Sequence, residues 1–203
     1  MFWNQMFMIV VGVVCGSMLF GSYFPKKIKN IDVTALSDDH NPGTANAMKY
    51  AGVPVGIMCL VADLLKGALP IYLSIQMGLV SGSLFPLVMA APVIGHAYSL
   101  FHCGKGGKAI AVSFGVLIGL SPVHYQLLLL LCVIYITCSV FIVINPHPKR
   151  TRVTYVIFSL GAVVLTILHI IPFQVCLGAV LIAGIVIHKN RETSSLGNSL
   201  ENI

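Results

Sequence analysis

The sequence predicts an all-α, polytopic membrane protein. About seven transmembrane helices form a single membrane-embedded domain over residues 1–203, with the N-terminus outside and the C-terminus cytoplasmic. Three observations predict it. Hydrophobic residues make up 57% of the chain and charged residues only 9%, against about 25% charged in soluble domains. The apolar residues are gathered into runs near the roughly 20 residues that a helix needs to cross the hydrocarbon core. The positive charges fall on every second connection between those runs.

The first run covers 2–24. It lacks a basic leader and a clear small-residue cleavage site, so it is expected to be a retained first helix. A polar segment over 25–52 is expected to be a cytoplasmic loop, and a second run follows at 53–77. The third run, 84–101, leads into a glycine-lysine loop at 102–108. The fourth, 109–120, is short and ends at Ser121-Pro122. The fifth, sixth and seventh runs span 123–144, 153–170 and 172–188, and a polar tail occupies 189–203. No internal repeat is visible.

With the N-terminus outside, the inner connections hold Lys26, Lys27, Lys29, Lys49, Lys105, Lys108, Lys149, Arg150, Arg152, Lys189 and Arg191. The outer connections hold no Lys or Arg, and Lys66 alone lies within a run. That is a positive-inside pattern, and it puts every polar cluster on the cytoplasmic face of the cell membrane. The net charge of +6 is thereby explained by orientation, without nucleic acid. One-sided polar clusters and the lack of repeated halves also argue against a channel or transporter. The six cysteines show no CxxC spacing and five sit in apolar runs, so buried thiols are expected, with no disulfide framework and no metal site.

Four clusters carry possible chemistry. The turn at 102–108 contains Lys105-Gly106-Gly107-Lys108. Glycines let backbone N–H groups close on a ligand, and the lysines add charge, so the turn suits an anion held at a membrane face. The 25–52 segment contains Asp38-Asp39-His40-Asn41-Pro42-Gly43 and then Asn46. Carboxylates beside a histidine can form a general base toward a hydroxyl. Asp63 and Lys66 stand at i and i+3 on one helix face, so a structural ion pair is expected where unpaired charge would be costly. His96 precedes the glycine-lysine turn and His188 closes the last run. His102, His124, His147 and His169 are expected to be structural or interfacial.

Together these residues resemble the bacterial acyl-phosphate:glycerol-3-phosphate acyltransferase family. Gly16-Ser17 with Phe20-Gly21 is similar to its GSxxFG start, and Asn41-x-Gly43-x-x-Asn46 to the later part of its GSGNxGATNxxR loop. Asp63-x-x-Lys66-Gly67 is similar to DxxKG. Gly95-His96-x-Tyr98 with Lys105 to Lys108 is similar to GHxxP…KGGKG, and His188 stands near the histidine of HRxN. The resemblance covers nearly the whole chain. It implies acyl transfer from acyl phosphate to glycerol 3-phosphate, giving lysophosphatidic acid for phospholipid synthesis, among membrane lipids and without cofactor or metal. It implies substrate-binding roles for Ser17, Asn41, Gly43, Asn46, Lys49, His96, Lys105, Gly106, Gly107, Thr154 and His188. Thr154, or Thr151, takes the place of a helix-six serine. Lys108 is expected to be catalytic, with Asp39 and His40. Those last two replace the family's Ser-Gly, Lys49 replaces its Arg, Ser99 its Pro, and Ala109 its last loop Gly. Losing a phosphate-binding Ser and a bidentate Arg while gaining a carboxylate opens two alternatives: a different small hydroxyl or amine acceptor, or a non-catalytic lipid-binding protein.

Overall fold

The structure, a computed structural model, describes residues 1–200, with side chains through Arg191. All regular structure among the described residues is helical. Helices α1 (Phe2–Ser17) and α2 (Phe20–Lys29) form one apolar stretch, broken where Met18 and Leu19 leave helical geometry. The break frees the Met18 carbonyl for use by another helix. Asn30 ends α2 in the left-handed conformation, and Lys26, Lys27 and Lys29 occupy the last turn, where the negative end of the helix favours cations.

The 25–52 segment, expected as a loop, is partly helical. It carries the end of α2, a single turn α3 (Val33–Leu36) and α4 (Thr44–Ala51). The Asp32 carboxylate caps α3 by accepting from the Thr34 and Ala35 N–H groups, so two otherwise orphaned donors are satisfied. Then come α5 (Val53–Gln76), α6 (Phe85–Ala97), a 3₁₀ turn (Leu100–His102), α7 (Ile110–Ile136), a π turn (Thr137–Phe141), α8 (His147–Ile167) and α9 (Phe173–Leu200). The fourth and fifth runs form the two halves of α7, which meet at a kink where helical geometry fails at His124, two residues after Pro122, and fold back so that Phe114 and Tyr135 touch. Without its N–H and with a ring against the preceding turn, proline weakens a helix at this point.

Five stretches are long and apolar enough to cross a membrane: Phe2–Lys29, Val53–Gln76, Ile110–Phe141, His147–Ile167 and Phe173–Arg191. The third expected run contributes only α6, of 13 residues. At 1.5 Å per residue that is about 20 Å, short of the roughly 30 Å core. The rest of that run is spent on the non-helical Tyr98 and the 3₁₀ turn. Phe85, Val88, Met89, Val93 and Ala97 of α6 are fully buried, so α6 is a central post wrapped by its neighbours.

Small residues allow that close wrapping. A side chain at Gly16 or Gly95 would collide with the Pro92 or Val13 carbonyl, which locks α1 on α6. Gly67, Gly115 and Gly119 do the same between α5 and the first half of α7, against Val112, Leu64 and Ala68 backbone atoms. Between lipid-exposed helices, where apolar burial gives little net drive, backbone proximity of this kind supplies the packing.

Candidate active site

The site begins at the turn before α4. Asp39 Oδ1 accepts from the Asn46 side-chain amide at 2.8 Å and from the Asn41 N–H at 3.3 Å, while Asn46 also donates to the Asn41 carbonyl at 2.9 Å. The other carboxylate oxygen, Oδ2, faces Lys108 Nζ at 2.7 Å. Burial works to raise the Asp39 carboxyl, but the Lys108 hydrogen bond and charge, with Asn46 and Asn41, outweigh it and hold it below its ordinary range. Asp39 is therefore a firmly ionised partner of Lys108 and a weak proton acceptor.

The glycine-lysine turn is seated on the end of α6. Gly107 N–H donates to the His96 carbonyl at 3.0 Å. A methyl on Gly106 would strike the His96 and Ala97 carbonyls, and one on Gly107 would strike His96 Nε2. Here the absence of side chains is a packing requirement, because the turn lies directly on the helix end. Ala109 continues it in a left-handed conformation (φ 59°) before α7 starts.

Beneath the turn lies a buried charged node. Lys66 Nζ donates to the Met18 carbonyl at 2.6 Å and contacts His96 Nδ1 at 2.8 Å. It also pairs with Asp63 Oδ1 at 2.8 Å, although that oxygen is not aligned as a hydrogen-bond acceptor. Asp63 and Lys66 thus form the expected ion pair, in the gap opened by the α1–α2 break.

Asp39, Asn41, Asn46, Asp63, His96 and Lys108 share one cavity of about 640 Å³. Its other walls are apolar, supplied by Leu60, Leu64, Ile110, Phe114 and Tyr135 among others. Gly43 also lines it, as does His147 at the start of α8. The 25–52 segment meets the glycine-lysine turn here through Asp39–Lys108, and His147 joins from the first residue of α8, while Tyr98, just past α6, binds His188 of α9 at 2.8 Å.

The remaining expected residues stand elsewhere. His40 is exposed, and its Nδ1 is engaged with the Thr34 carbonyl at 2.9 Å, so it does not join Asp39 as a dyad. Lys49 is exposed and faces Asp38 at 4.0 Å. Lys105 is exposed outside the cavity, and Gly106 and Gly107 serve the seating of the turn. Ser17 is buried as a joint: it donates to the Val13 carbonyl at 2.8 Å and accepts from the Leu100 N–H at 3.2 Å. Thr154 is buried in α8 with an unpartnered hydroxyl, outside the residues that line the cavity. His188 pairs with Tyr98 beside the site. Tyr135, Phe114 and His147 are cavity residues that sequence reasoning misses. The first two sit in apolar runs with no motif and meet edge-to-face at 5.6 Å; His147, expected to be structural or interfacial, has no partner pattern in the sequence.

A helical membrane bundle with a lysine and side-chain amides set against an apolar wall has a site suited to an amphipathic anion. The sequence model described as "Glycerol-3-phosphate acyltransferase" matches residues 6–196. The chain belongs to the glycerol-3-phosphate acyltransferase family. A relative of that name from Solidesulfovibrio magneticus is 31% identical over 184 residues, 91% of this chain and 86% of its own. Another, from Streptococcus agalactiae serotype III, is 34% identical over 128 residues, covering 63% of this chain and 59% of the relative. The crystal structure of PlsY (YgiH), an integral membrane glycerol 3-phosphate acyltransferase, in its glycerol 3-phosphate form, superposes with a TM-score of 0.79. It covers 95% of this chain and 90% of that one at 23% identity, and so supports the fold.

Proposed function

We propose that the protein transfers a fatty acyl group from acyl phosphate to the 1-hydroxyl of glycerol 3-phosphate, giving lysophosphatidic acid and phosphate. The observation that carries this reading is the two-sided cavity, in which Lys108, Asn46 and His96 face an apolar wall of Leu60, Leu64, Ile110 and Phe114. A donor with a phosphate head and an alkyl chain needs both sides. Family membership gives the reaction class. The lysine and the donors around it would stabilise negative charge that develops on carbonyl and phosphate oxygens.

In the step itself the acceptor oxygen bonds to the acyl carbon, the carbon–oxygen bond to phosphate breaks, and the hydroxyl proton leaves. A phosphate with a second ionisation near 6 is a better proton acceptor than Asp39, whose carboxyl is held low by Lys108 and Asn46. In this reading Asp39 positions Lys108 and Asn46, while His40 holds the loop. The bundle crosses the cell membrane seven times, with α7 counted as two crossings about His124, the N-terminus outside, and the active face cytoplasmic. The fall of Lys and Arg on alternate connections supports that orientation.

A second reading is a neutral or cationic hydroxyl acceptor, favoured by the Asp39 carboxylate that already neutralises Lys108. One experiment separates them: phosphate release from palmitoyl phosphate by the purified protein, with and without glycerol 3-phosphate. Release that depends on glycerol 3-phosphate, with lysophosphatidic acid formed, supports the first. Release only with an uncharged or amino-alcohol acceptor supports the second. No release with any acceptor overturns both.

A further inference from the structure

The buried node under the glycine-lysine turn has a chemical consequence that follows from counting protons. Lys66 Nζ touches three groups: the Met18 carbonyl, Asp63 Oδ1 and His96 Nδ1. An ammonium has three N–H donors and no acceptor. If Lys66 is charged, one N–H goes to Met18 O, one faces Asp63, and one is left for His96. Nδ1 must then accept, because a proton on it would oppose an N–H at 2.8 Å. If the shared proton sits on Asp63 instead, the amine lone pair takes that proton and two N–H groups remain, for Met18 O and again for His96. In either state Nδ1 of His96 is the acceptor. An imidazolium would require the lysine amine to give up its proton to imidazole, the weaker base, and an ammonium in this contact excludes it.

The proton of His96 is therefore on Nε2. That nitrogen is the His96 atom nearest the position where a Gly107 side chain would begin, and it has no hydrogen-bond partner among the described residues. His96 itself lines the cavity beside Lys108, with its ring otherwise almost fully buried.

We infer that Lys66 is a positioning residue that fixes His96 as the Nε2–H tautomer, making His96 a neutral hydrogen-bond donor aimed at a phosphate or carbonyl oxygen of the substrate on the glycine-lysine turn. The donor role rests on the proposed acyl transfer; the tautomer does not. Asp63 keeps the lysine in place, and the α1–α2 break supplies the carbonyl that completes its shell. The arrangement explains why two charged residues stand inside an apolar helix at i and i+3, since a tautomer set by an ammonium cannot be reversed by a water molecule.

The test begins with the intact protein in nanodiscs, with ¹⁵N-labelled histidine and two-bond proton–nitrogen correlation; the His96 signals are those that vanish in His96→Gln. Wild type should show the Nε2–H pattern at neutral pH, and a major Nδ1–H form would overturn the inference. In Lys66→Met the preference should relax to a mixture. Should that variant fail to fold with Asp63 left unpaired, Asp63→Asn/Lys66→Met provides the same comparison, and an unchanged tautomer there also overturns the role of Lys66. For the donor role, a glutamine amide reaches the Nε2 position. Acyl transfer in His96→Gln should stay within about tenfold of wild type, while kcat in His96→Met should fall about a hundredfold, the usual cost of one such donor. Equal activity of the two variants would remove the donor role. Absence of acyl transfer by wild type would refute the proposed reaction and leave the tautomer result intact.

Discussion

Replacing Asp39 by Asn removes one negative charge and little else, since the amide keeps the shape of the carboxylate and its oxygen still accepts from Asn46 or the Asn41 N–H. The interaction that disappears is the 2.7 Å ion pair with Lys108. A charge-assisted hydrogen bond contributes about 1.5–3 kcal/mol when it is well shielded. The Asp39 side chain is 31% exposed and Lys108 14%, so screening brings the pair to about 1–1.5 kcal/mol. If the donor phosphate must take Lys108 from Asp39, that energy opposes binding. Its removal should strengthen binding by about 5–10-fold, since 1.4 kcal/mol is tenfold. The assay is steady-state phosphate release from palmitoyl phosphate at saturating glycerol 3-phosphate. Asp39→Asn should lower KM for acyl phosphate by that factor and leave kcat within about threefold. A roughly hundredfold or larger fall in kcat, in a variant that melts normally, would refute the reasoning, because it would make Asp39 the proton acceptor that its depressed pKa argues against.

Three further outcomes follow from the same geometry. The Asp39 carboxyl is depressed in the folded protein, so its stabilising contribution is present above the ordinary value of 3.8 and lost as pH falls below it; the melting-temperature gap between wild type and Asp39→Asn should stay constant between pH 6 and 8 and narrow as pH falls past 3.8. Gly107→Ala should displace His96 and destabilise by about 1–3 kcal/mol, as overpacking does, with transfer abolished; Gly184→Ala, where nothing lies within 4 Å, is the control and should melt like wild type. His40→Ala should keep kcat/KM within about threefold, since His40 is exposed and bonded to Thr34; a roughly hundredfold or larger loss in the same phosphate-release assay would restore it as the base.

The helical membrane class was legible because apolar runs and charge placement are each properties of single stretches of chain. What was not legible depends on what packs against a stretch. The third run reads as a full crossing, yet only Phe85–Ala97 is α-helical, and the chain past it turns back so that Gly107 donates to the His96 carbonyl and Gly106 packs on the His96 and Ala97 carbonyls. By contrast, the gap at Ser121-Pro122 reads as a boundary between helices, and α7 does divide there, at His124. Within the site, motif resemblance located Asn41, Asn46, Lys108, His96 and the Asp63–Lys66 pair, all of which the fold brings together around one cavity or its base. It could not distinguish a residue that meets the cavity from one that holds the frame. Ser17 and Gly106 carry the motif as joints, whereas Tyr135 and His147 reach the cavity with no motif at all.

Of the lysines that motif reading assigned to an anion, Lys108 already faces Asp39 and Lys49 faces Asp38, and the buried Lys66 faces Asp63 in the same way. Bare cations under an apolar wall would raise the cost of folding the site at the membrane face, and pairing each with a carboxylate lowers that cost. The consequence is that an entering phosphate gains little from net charge. Its affinity must come from aligned neutral donors, among them the Asn46 amide and His96 Nε2–H, which hold their geometry whether or not a ligand is present. Such donors are far less screened by salt than exposed charges are. A site built this way should therefore lose little donor affinity between low and physiological ionic strength, whereas a site that relied on free lysines would lose much of it. The carboxylate at position 39 is then part of how the chain keeps an anion site inside a membrane protein neutral until the anion arrives.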